Sequence, residues 1–307
     1  DGDLVDIEII SAENYISGDD TGLTIDLTGQ TEDLRVIGSD YADVITGGSG
    51  DDTIVGFTTG DVVDGGLGED TLELVESFGV PPADAAIVGI EIITAALIVG
   101  ESGAVIDLSL QTEGFRIIGS AQADEITGGS GDDTIVGFTT GDTVDGGAGS
   151  DTLEITDSFG PVGDAALSNV ETISAADYVT VDVSGPTINL GGQTEGFTII
   201  GSLYADDITG GSGDDTIVGY TVDDFVNGGD GHDTYCVRDA GDVVIESNAN
   251  ASSGGTDIVI SYLGNYTLSA NVENGRIASA GTANLTGNAL DNLLYAGAGN
   301  NVIDGGS

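Results

Sequence analysis

Residues Gly47 to Gly56 read GGSGDDTIVG, and the same ten letters recur at Gly128 to Gly137 and at Gly210 to Gly219. The copies lie 81 and 82 residues apart. The similarity extends further, because ITGGSGDDTIVGFTTGD from Ile45 reappears in full from Ile126. Repetition at a fixed spacing is typical of a repeat architecture, in which each copy packs on its neighbours. Three long copies of one unit therefore fill most of the chain.

A shorter period of nine residues runs inside each copy. From Asp20 to Glu73 the nonads are DTGLTIDLT, GQTEDLRVI, GSDYADVIT, GGSGDDTIV, GFTTGDVVD and GGLGEDTLE, and each has an apolar residue at the eighth place. A three-residue stretch with an apolar centre, after six turn-forming residues, predicts a short strand with one face inward. Helical spacing is absent, so the predicted fold class is all-β.

Aspartate recurs at the sixth place of the nonads. The twelve positions are Asp43, Asp52, Asp61, Asp70, Asp124, Asp133, Asp142, Asp151, Asp206, Asp215, Asp224 and Asp233. In the earlier nonads the sixth place is aliphatic, at Ile25 and Leu34. Aspartate confined to glycine-rich or similarly small turns argues for a ligand role, because glycines allow backbone carbonyls to converge. The fifth place varies, and a residue there such as Asp132 is expected to project to solvent.

The composition limits the partners of the chain. Its 307 residues include 54 acidic and four basic groups, a formal net charge of -50. Binding of nucleic acid or an anionic membrane through a cationic patch is thereby excluded, and cations are the expected partners. With 39% hydrophobic residues the chain can build a core, and no apolar run is long enough to span a membrane. A single cysteine, Cys236, and a single histidine, His232, exclude internal disulfides and ordinary zinc sites.

Six nonads match the pattern GGxGxDxUx in full. They are Gly47 to Val55, Gly65 to Glu73, Gly128 to Val136, Gly146 to Glu154, Gly210 to Val218 and Gly228 to Cys236. In these nonads the chain resembles the repeats-in-toxin (RTX) family, with its hemolysin-type calcium-binding repeat. The resemblance implies a parallel β-roll, or right-handed β-solenoid, with two nonads per coil and calcium-binding turns. It also implies that the sixth-place carboxylates and the carbonyls of the glycine loops supply the oxygen ligands.

Consecutive nonads on opposite edges would place turns 18 residues apart about 4.8 Å from each other. The predicted pairs are Asp52 with Asp70, Asp43 with Asp61, Asp133 with Asp151, Asp124 with Asp142, Asp215 with Asp233 and Asp206 with Asp224. Asp224 with Asp242 gives a seventh pair, because Val237 to Ile245 keeps the phase. Hard oxygen ligands in a flexible loop favour Ca²⁺ over Mg²⁺, so about six to seven calcium ions are expected.

The period predicts one continuous repeat solenoid over residues 1–307. Its blocks are 1–73, 74–154 and 155–245, followed by a looser C-terminal repeat region at 246–307. The β-branched segments between the aspartate-rich turns, Leu74 to Gly100 and Ile155 to Asp182, are expected to form calcium-free coils, with a short helix at residues 83–88 or 164–170. Asn292 and Asn301 replace the sixth-place aspartate, which predicts weak calcium binding there. The chain stops three residues into a further nonad, so we expect a fragment of a longer parent protein.

The resemblance implies an extracellular protein and leaves two functional interpretations open. The preferred one is a calcium-dependent structural or adhesive segment of a secreted bacterial cell-surface protein, of the surface-layer (S-layer) or adhesin kind, exported by type I secretion. The alternative is the accessory calcium-binding β-roll of a secreted protease or polysaccharide-modifying enzyme. The chain itself is not expected to be an enzyme, because the carboxyl pair Asp51 and Asp52 recurs identically in all three blocks, which indicates a structural role.

Recurring aromatic residues raise the question of a surface ligand. Phe57, Phe138 and Tyr220 occur once per block and could form a sugar-stacking ladder. Packing over the neighbouring coil is the favoured interpretation. Cell-surface polysaccharide and neighbouring copies of the surface protein are therefore only secondary candidates as partners beside calcium.

Overall fold

The computed structural model describes residues 7–16, 21–100, 102–180, 184–219, 223–248 and 254–306. The described residues form parallel β-strands and two three-residue 3-10 helices. The chain divides into two compact units, Asp1–Thr152 and Leu153–Ser307. Each unit is a β-solenoid, which confirms the predicted fold class. The prediction of one continuous solenoid over the whole chain stays a prediction.

The first unit contains short strands on two sides of its coils. They are β1 Ile9–Ser11, β2 Thr24–Asp26, β3 Arg35–Ile37, β4 Val44–Thr46, β5 Thr53–Val55, β6 Val62–Asp64, β7 Thr71–Glu73, β8 Ile87–Val88, β9 Ile92–Thr94, β10 Val105–Asp107, β11 Arg116–Ile118, β12 Glu125–Thr127, β13 Thr134–Val136 and β14 Thr143–Asp145. The odd-numbered strands from β1 to β13 lie side by side in one parallel sheet. The even-numbered strands form two further sheets, β2-β4-β6-β8 and β10-β12-β14. Strand β15, Thr152–Glu154, lies at the division between the units.

The second unit repeats this arrangement. Its strands are β16 Leu167–Ser168, β17 Thr172–Ser174, β18 Ser184–Asn189, β19 Thr198–Ile200, β20 Ala205–Thr209, β21 Thr216–Val218, β22 Phe225–Asn227, β23 Thr234–Val237, β24 Val243–Ile245, β25 Ile258–Ser261, β26 Asn265–Thr267, β27 Asn274–Ile277, β28 Asn284–Thr286, β29 Leu293–Tyr295 and β30 Val302–Asp304. The odd-numbered strands from β17 to β29 share one sheet, and the even-numbered ones form the sheets β18-β20-β22-β24 and β26-β28-β30.

The register of the strands follows the nonads. Thr53 pairs with Thr71 and Ile54 with Leu72, so β5 and β7 are two nonads apart. On the other side Val44 pairs with Val62. Consecutive nonads therefore lie on opposite sides of a coil, and two nonads complete one turn of the solenoid, as the resemblance implied.

The eighth-place residues of successive coils form a large part of the core. Val36, Ile54 and Leu72 follow one another in the first unit and are almost fully buried. Each such side chain contributes about 1.5 to 3 kcal/mol of hydrophobic free energy on burial. The strands on either side of each turn are thereby fixed, and the sixth-place residues immediately before them are held in register.

The segments between the aspartate-rich turns also form coils. In the first unit β8 pairs with β6 and β9 pairs with β7. Short 3-10 helices occupy Asp84–Ala86 and Asp164–Ala166, inside both of the ranges in which a short helix was expected. The looser C-terminal region keeps the same pairing, with β25 against β23 and β27 against β25. No helix among the described residues is long and apolar enough to cross a membrane.

Candidate metal centre

The structure places the predicted aspartates on the turns that lead into the strands. Asp52 and Asp70 directly precede β5 and β7, whereas Asp43 and Asp61 precede β4 and β6 on the opposite side. All twelve sixth-place aspartates are buried, with 0 to 4% of each residue exposed. The thirteenth predicted residue, Asp242, is partly buried. Burial of so many carboxyl groups requires compensation, because a lone charge is costly inside a protein.

The predicted pairs are brought together by a ladder of hydrogen bonds. The backbone N–H of Asp52 donates to Oδ1 of Asp70 at 2.7 Å, and the N–H of Asp133 donates to Oδ1 of Asp151 at 2.7 Å. The remaining pairs have the same bond at 2.7 to 3.2 Å, namely Asp43 to Asp61, Asp124 to Asp142, Asp206 to Asp224, Asp215 to Asp233 and Asp224 to Asp242. Each pair therefore stacks one coil apart, while its calcium binding stays a prediction.

Backbone N–H groups within the glycine turns also orient the carboxylates. Oδ2 of Asp52 accepts a hydrogen bond from the N–H of Gly48 at 2.9 Å, and Oδ2 of Asp133 accepts one from Gly129 at 2.9 Å. On the opposite edge, Oδ2 of Asp61 accepts from the N–H of Thr58 at 2.6 Å. Hydrogen bonds of this kind fix the direction of the carboxylate before any cation arrives.

Some of the buried carboxylate oxygens have no hydrogen-bond partner. Among the described residues, Oδ2 of Asp70, Asp224 and Asp233 are in this state. Burial raises the pKa of Asp70 to about 6, and that of Asp224 and Asp233 to about 7. Burial likewise raises the pKa of Asp61, Asp133, Asp142, Asp206 and, to about 6, Asp215. The turns therefore favour either a proton or a cation beside these groups.

The first-place glycines form a cradle for such a cation. A Cβ on Gly47 would clash with the carbonyl oxygen of Gly65 and lie 2.6 Å from Oδ2 of Asp52. In the equivalent turn a Cβ on Gly128 would meet the oxygens of Gly146 and Asp133 in the same way. Only glycine thus lets carbonyl and carboxylate oxygens approach each other here. A donor set made of hard oxygens alone fits calcium and does not fit soft metals.

The asparagine turns near the C-terminus provide their own compensation. Oδ1 of Asn301 accepts a hydrogen bond from the N–H of Ala283 at 2.9 Å, as the aspartates do from their ladder neighbours. Its Nδ2, however, donates to the carbonyl oxygen of Gly297 at 2.8 Å. Asn292 similarly donates to the carbonyl oxygen of Val272 at 3.0 Å. The amide N–H groups of these asparagines therefore donate to carbonyl oxygens that an aspartate cannot satisfy without a cation. This arrangement agrees with the weak calcium binding predicted for these turns.

The nonad count missed several acidic residues that extend the ladders. The N–H of Asp70 donates to Oε2 of Glu91 at 2.8 Å, 21 residues away. The N–H of Asp233 donates to Oδ1 of Asp257, 24 residues away, and that of Asp257 donates to Oε2 of Glu273, 16 residues away. The sequence signal was an acidic residue directly before an apolar-centred strand. It was hidden because these loops depart from the 18-residue spacing.

A second ladder runs along the exposed fifth places. The N–H of Ser150 donates to Oδ1 of Asp132 at 2.8 Å, and the N–H of Glu69 donates to Oδ1 of Asp51 at 2.9 Å. Asp132 is exposed, as predicted. Its carboxylate nevertheless takes part in a backbone hydrogen bond between coils, which the sequence analysis did not foresee.

The recurring phenylalanines belong to the core. Phe57 and Phe138 are buried, and the ring of Phe57 lies 5.7 Å from that of Phe78 in an edge-to-face contact. This geometry confirms packing over the neighbouring coil and leaves neither ring available for stacking on a sugar. Tyr220 lies outside the described residues.

The family model of the RTX calcium-binding nonapeptide repeat matches the chain four times, over residues 37–72, 118–153, 200–235 and 277–307. The first three matches contain the twelve buried sixth-place aspartates, and the fourth contains Asn292 and Asn301. A comparison with curated proteins found no match. The repeats that the sequence suggested are thus present, and repeats of this kind bind calcium.

Proposed function

We propose that this chain, whose coils carry RTX calcium-binding nonapeptide repeats, is a structural segment that folds when calcium binds to its turns. The observation that carries the proposal is the stack of buried, paired aspartates with unpartnered oxygens and raised pKa values. At neutral pH the folded coils hold carboxylates that need a positive partner, and the chain has only four arginines and no lysine to provide one. A divalent cation between successive turns would supply that charge.

Three groups of the chain would contribute to the calcium sites, namely the sixth-place carboxylates, the carbonyl oxygens and the backbone N–H groups of the turns. The sixth-place aspartates supply carboxylate oxygens, and the first-place glycines allow carbonyl oxygens of successive coils to approach them. The backbone N–H groups of the ladder hold each carboxylate in a fixed orientation toward the turn. Calcium, when bound, neutralises the stacked charge and links one coil to the next. We assign the ions to the seven aspartate pairs, so that about six to seven are bound per chain.

The gain in stability from calcium is large compared with that of an ordinary domain. At a free concentration 100 times its Kd, an ion at one independent site adds about 2.7 kcal/mol, and six to seven sites add on the order of 16 to 19 kcal/mol. Net stabilities of domains are about 5 to 15 kcal/mol. Calcium can therefore decide whether these coils fold.

Calcium-dependent folding suits a protein that works outside a bacterial cell, where calcium is abundant. We assign the chain to a secreted cell-surface protein that leaves the cell unfolded and becomes rigid outside, with a structural or adhesive role rather than a catalytic one. The support for this assignment is that RTX repeat proteins are typically secreted, and that identical turns recur in all three blocks. Polysaccharide and further copies of the surface protein are the partners that such a role would involve.

Chelation tests the proposal directly. The full chain is measured by far-UV circular dichroism in excess EGTA and then during titration with calcium, with magnesium at equal ionic strength as the control. We expect the β-spectrum to appear with calcium and not with magnesium. A spectrum that is already β-like in EGTA and unchanged by calcium would refute calcium-dependent folding.

A further inference from the structure

A cluster of three acidic side chains lies outside the nonapeptide pattern, where the second unit passes from β24 to β25. Glu246 directly follows β24, Asp257 directly precedes β25, and Asp233 precedes β23. One carboxylate oxygen from each residue lies within 4.8 Å of the other two. Asp233, Glu246 and Asp257 are only 0, 5 and 1% exposed.

Hydrogen bonds orient the carboxylates of the cluster, but the buried Oδ2 of Asp233 remains unpaired among the described residues. The Tyr235 hydroxyl accepts the N–H of Gly228 at 2.8 Å and donates to Oε2 of Glu246 at 2.9 Å. Oδ1 of Asp257 accepts the N–H of Asp233 at 2.9 Å. Oδ2 of Asp233 has no hydrogen-bond partner among the described residues, although the residue is fully buried.

The unpaired oxygen faces the rest of the cluster. A Cβ built on Gly228 would clash with Oδ2 of Asp233 and would lie 2.6 Å from the Tyr235 hydroxyl. Both atoms therefore border the same small space beside Gly228. Because that hydroxyl is hydrogen-bonded to Glu246, the Glu246 carboxylate lies at the same space.

The ligand set differs from that of the repeat turns. Glu246 occupies the first place of its nonad, where Gly47 and Gly228 stand in earlier nonads. A side-chain carboxylate thus enters a place where the six full nonads have only a glycine Cα. Arg238, the nearest arginine in sequence, has its guanidinium 4.4 Å from the centre of the Tyr262 ring. Its charge is thus engaged with an aromatic ring.

We propose that Asp233, Glu246 and Asp257 form a further cation site, which takes calcium through three side-chain carboxylates. Three buried carboxylates without a cation would repel one another and would leave Oδ2 of Asp233 uncompensated. Carboxylate oxygens and a phenolic oxygen form a hard, irregular donor set that suits Ca²⁺ better than Mg²⁺ or a soft metal. Glu246 and Asp257 belong to no pair of the repeat ladder predicted from the nonads, so this site is additional to the six to seven ions proposed above.

Calcium titration of the full chain by isothermal calorimetry tests the site through Glu246→Gln, because Glu246 serves this site alone. The matched control is Glu195→Gln, which removes the same charge from an exposed side chain. We expect Glu246→Gln to bind one calcium ion fewer per chain than the wild type, and Glu195→Gln to bind the same number. Equal stoichiometry for wild type and Glu246→Gln would overturn the site. Absence of calcium binding in the wild type would instead overturn the proposed function.

A second variant, Asp257→Asn, and a second measurement, the far-UV spectrum, keep the test decisive if Glu246→Gln fails to fold. Asp257→Asn keeps an oxygen that can accept the N–H of Asp233, and it should also lose one ion. In far-UV spectra we expect both variants to need more calcium than the wild type to reach the β-form. If Glu246 acted only as the acceptor of the Tyr235 hydroxyl, Asp257→Asn would keep the wild-type stoichiometry, and that result would overturn the site.

Discussion

Replacing Asp133 or its neighbour Asp132 by asparagine tests whether the sixth place is a ligand position. Both changes remove one negative charge and keep the shape of the side chain. Asp133 is buried, its Oδ1 accepts the N–H of Phe115 at 2.8 Å, and its N–H reaches the carboxylate of Asp151. Asp132 is exposed, and its Oδ1 accepts the N–H of Ser150 at 2.8 Å.

The two substitutions should lower the stability by different amounts, because Asp133 is a proposed calcium ligand and Asp132 accepts one exposed hydrogen bond. Loss of the site between Asp133 and Asp151 removes about 2.7 kcal/mol of stability when free calcium is 100 times the Kd of that site. Loss of one exposed hydrogen bond at Asp132 costs about 0.5 to 1.5 kcal/mol at most, and an asparagine oxygen retains part of it. Removing a surface charge from a chain of net charge -50 also relieves some repulsion.

The effect of Asp133→Asn should change sign with calcium. Burial raises the pKa of Asp133, so the ionised form is disfavoured in the metal-free fold. In EGTA the neutral asparagine should therefore leave the low β-content unchanged or raise it, whereas in calcium it should lower the melting temperature of the chain.

Calorimetric titration measures the number of bound ions, and thermal unfolding in calcium measures the stability. Far-UV circular dichroism in EGTA measures the β-content of the metal-free chain. We expect Asp133→Asn to lose about one ion per chain and Asp132→Asn to lose none. Equal losses of calcium in the two variants would mean that the carboxylates act as a diffuse field of charge, and the assignment of the sixth place would be wrong.

A change of pH and substitutions at Gly128 and Asn301 test other features of the turns. In EGTA, the buried aspartates with pKa values raised to about 6 or 7 contribute stability below about pH 4, the unfolded pKa, and lose it as the pH rises through 6 to 7. The metal-free chain should therefore show more β-structure by far-UV circular dichroism at pH 5 than at pH 8, and more β-structure at pH 8 would contradict the raised pKa values. Gly128→Ala should remove one calcium ion in a titration, because its Cβ would meet the oxygens of Gly146 and Asp133, whereas Gly160→Ala, with no atom within 4 Å of its Cβ, should leave the stoichiometry unchanged; equal effects would argue against the cradle. Asn301→Asp should lower the melting temperature at limiting calcium, because it removes the donor to the Gly297 carbonyl, and excess calcium should restore it; no response to excess calcium would show that this turn lacks the remaining ligands.

The nonad was sufficient to predict the strands that follow the aspartate turns and the pairs between those turns, whereas β2 and β10 end one residue before the eighth place. Strand β5 falls on the last three residues of GGSGDDTIV, and Asp52 stacks on Asp70 at the predicted spacing. Both results follow from local phase, since two nonads make one coil and the coils with aspartate turns have the same length. The eighth-place residues were buried for the same reason.

The nonad phase could not predict contacts made where coil length changes. Glu91 and Asp257 lie 21 and 24 residues after their ladder partners, so these contacts are set by how the longer coils close. The position of Glu246 beside Asp233 depends on the same closure. The second donor of Asn301, and the backbone hydrogen bond at Asp132, are properties of stacked turns and have no counterpart in a single nonad.

The alternation of odd and even strands between sheets limits how a gene for such a chain can change in length. Removal of a single nonad would move every later strand in the unit to the opposite sheet, and would place each later carboxylate on the wrong edge. Removal or duplication of two nonads would preserve the pairing of Thr53 with Thr71 and of every equivalent position beyond it. Tandem duplication in steps of a whole coil is therefore the change that evolution, or an engineer, can make without disturbing the neighbouring turns.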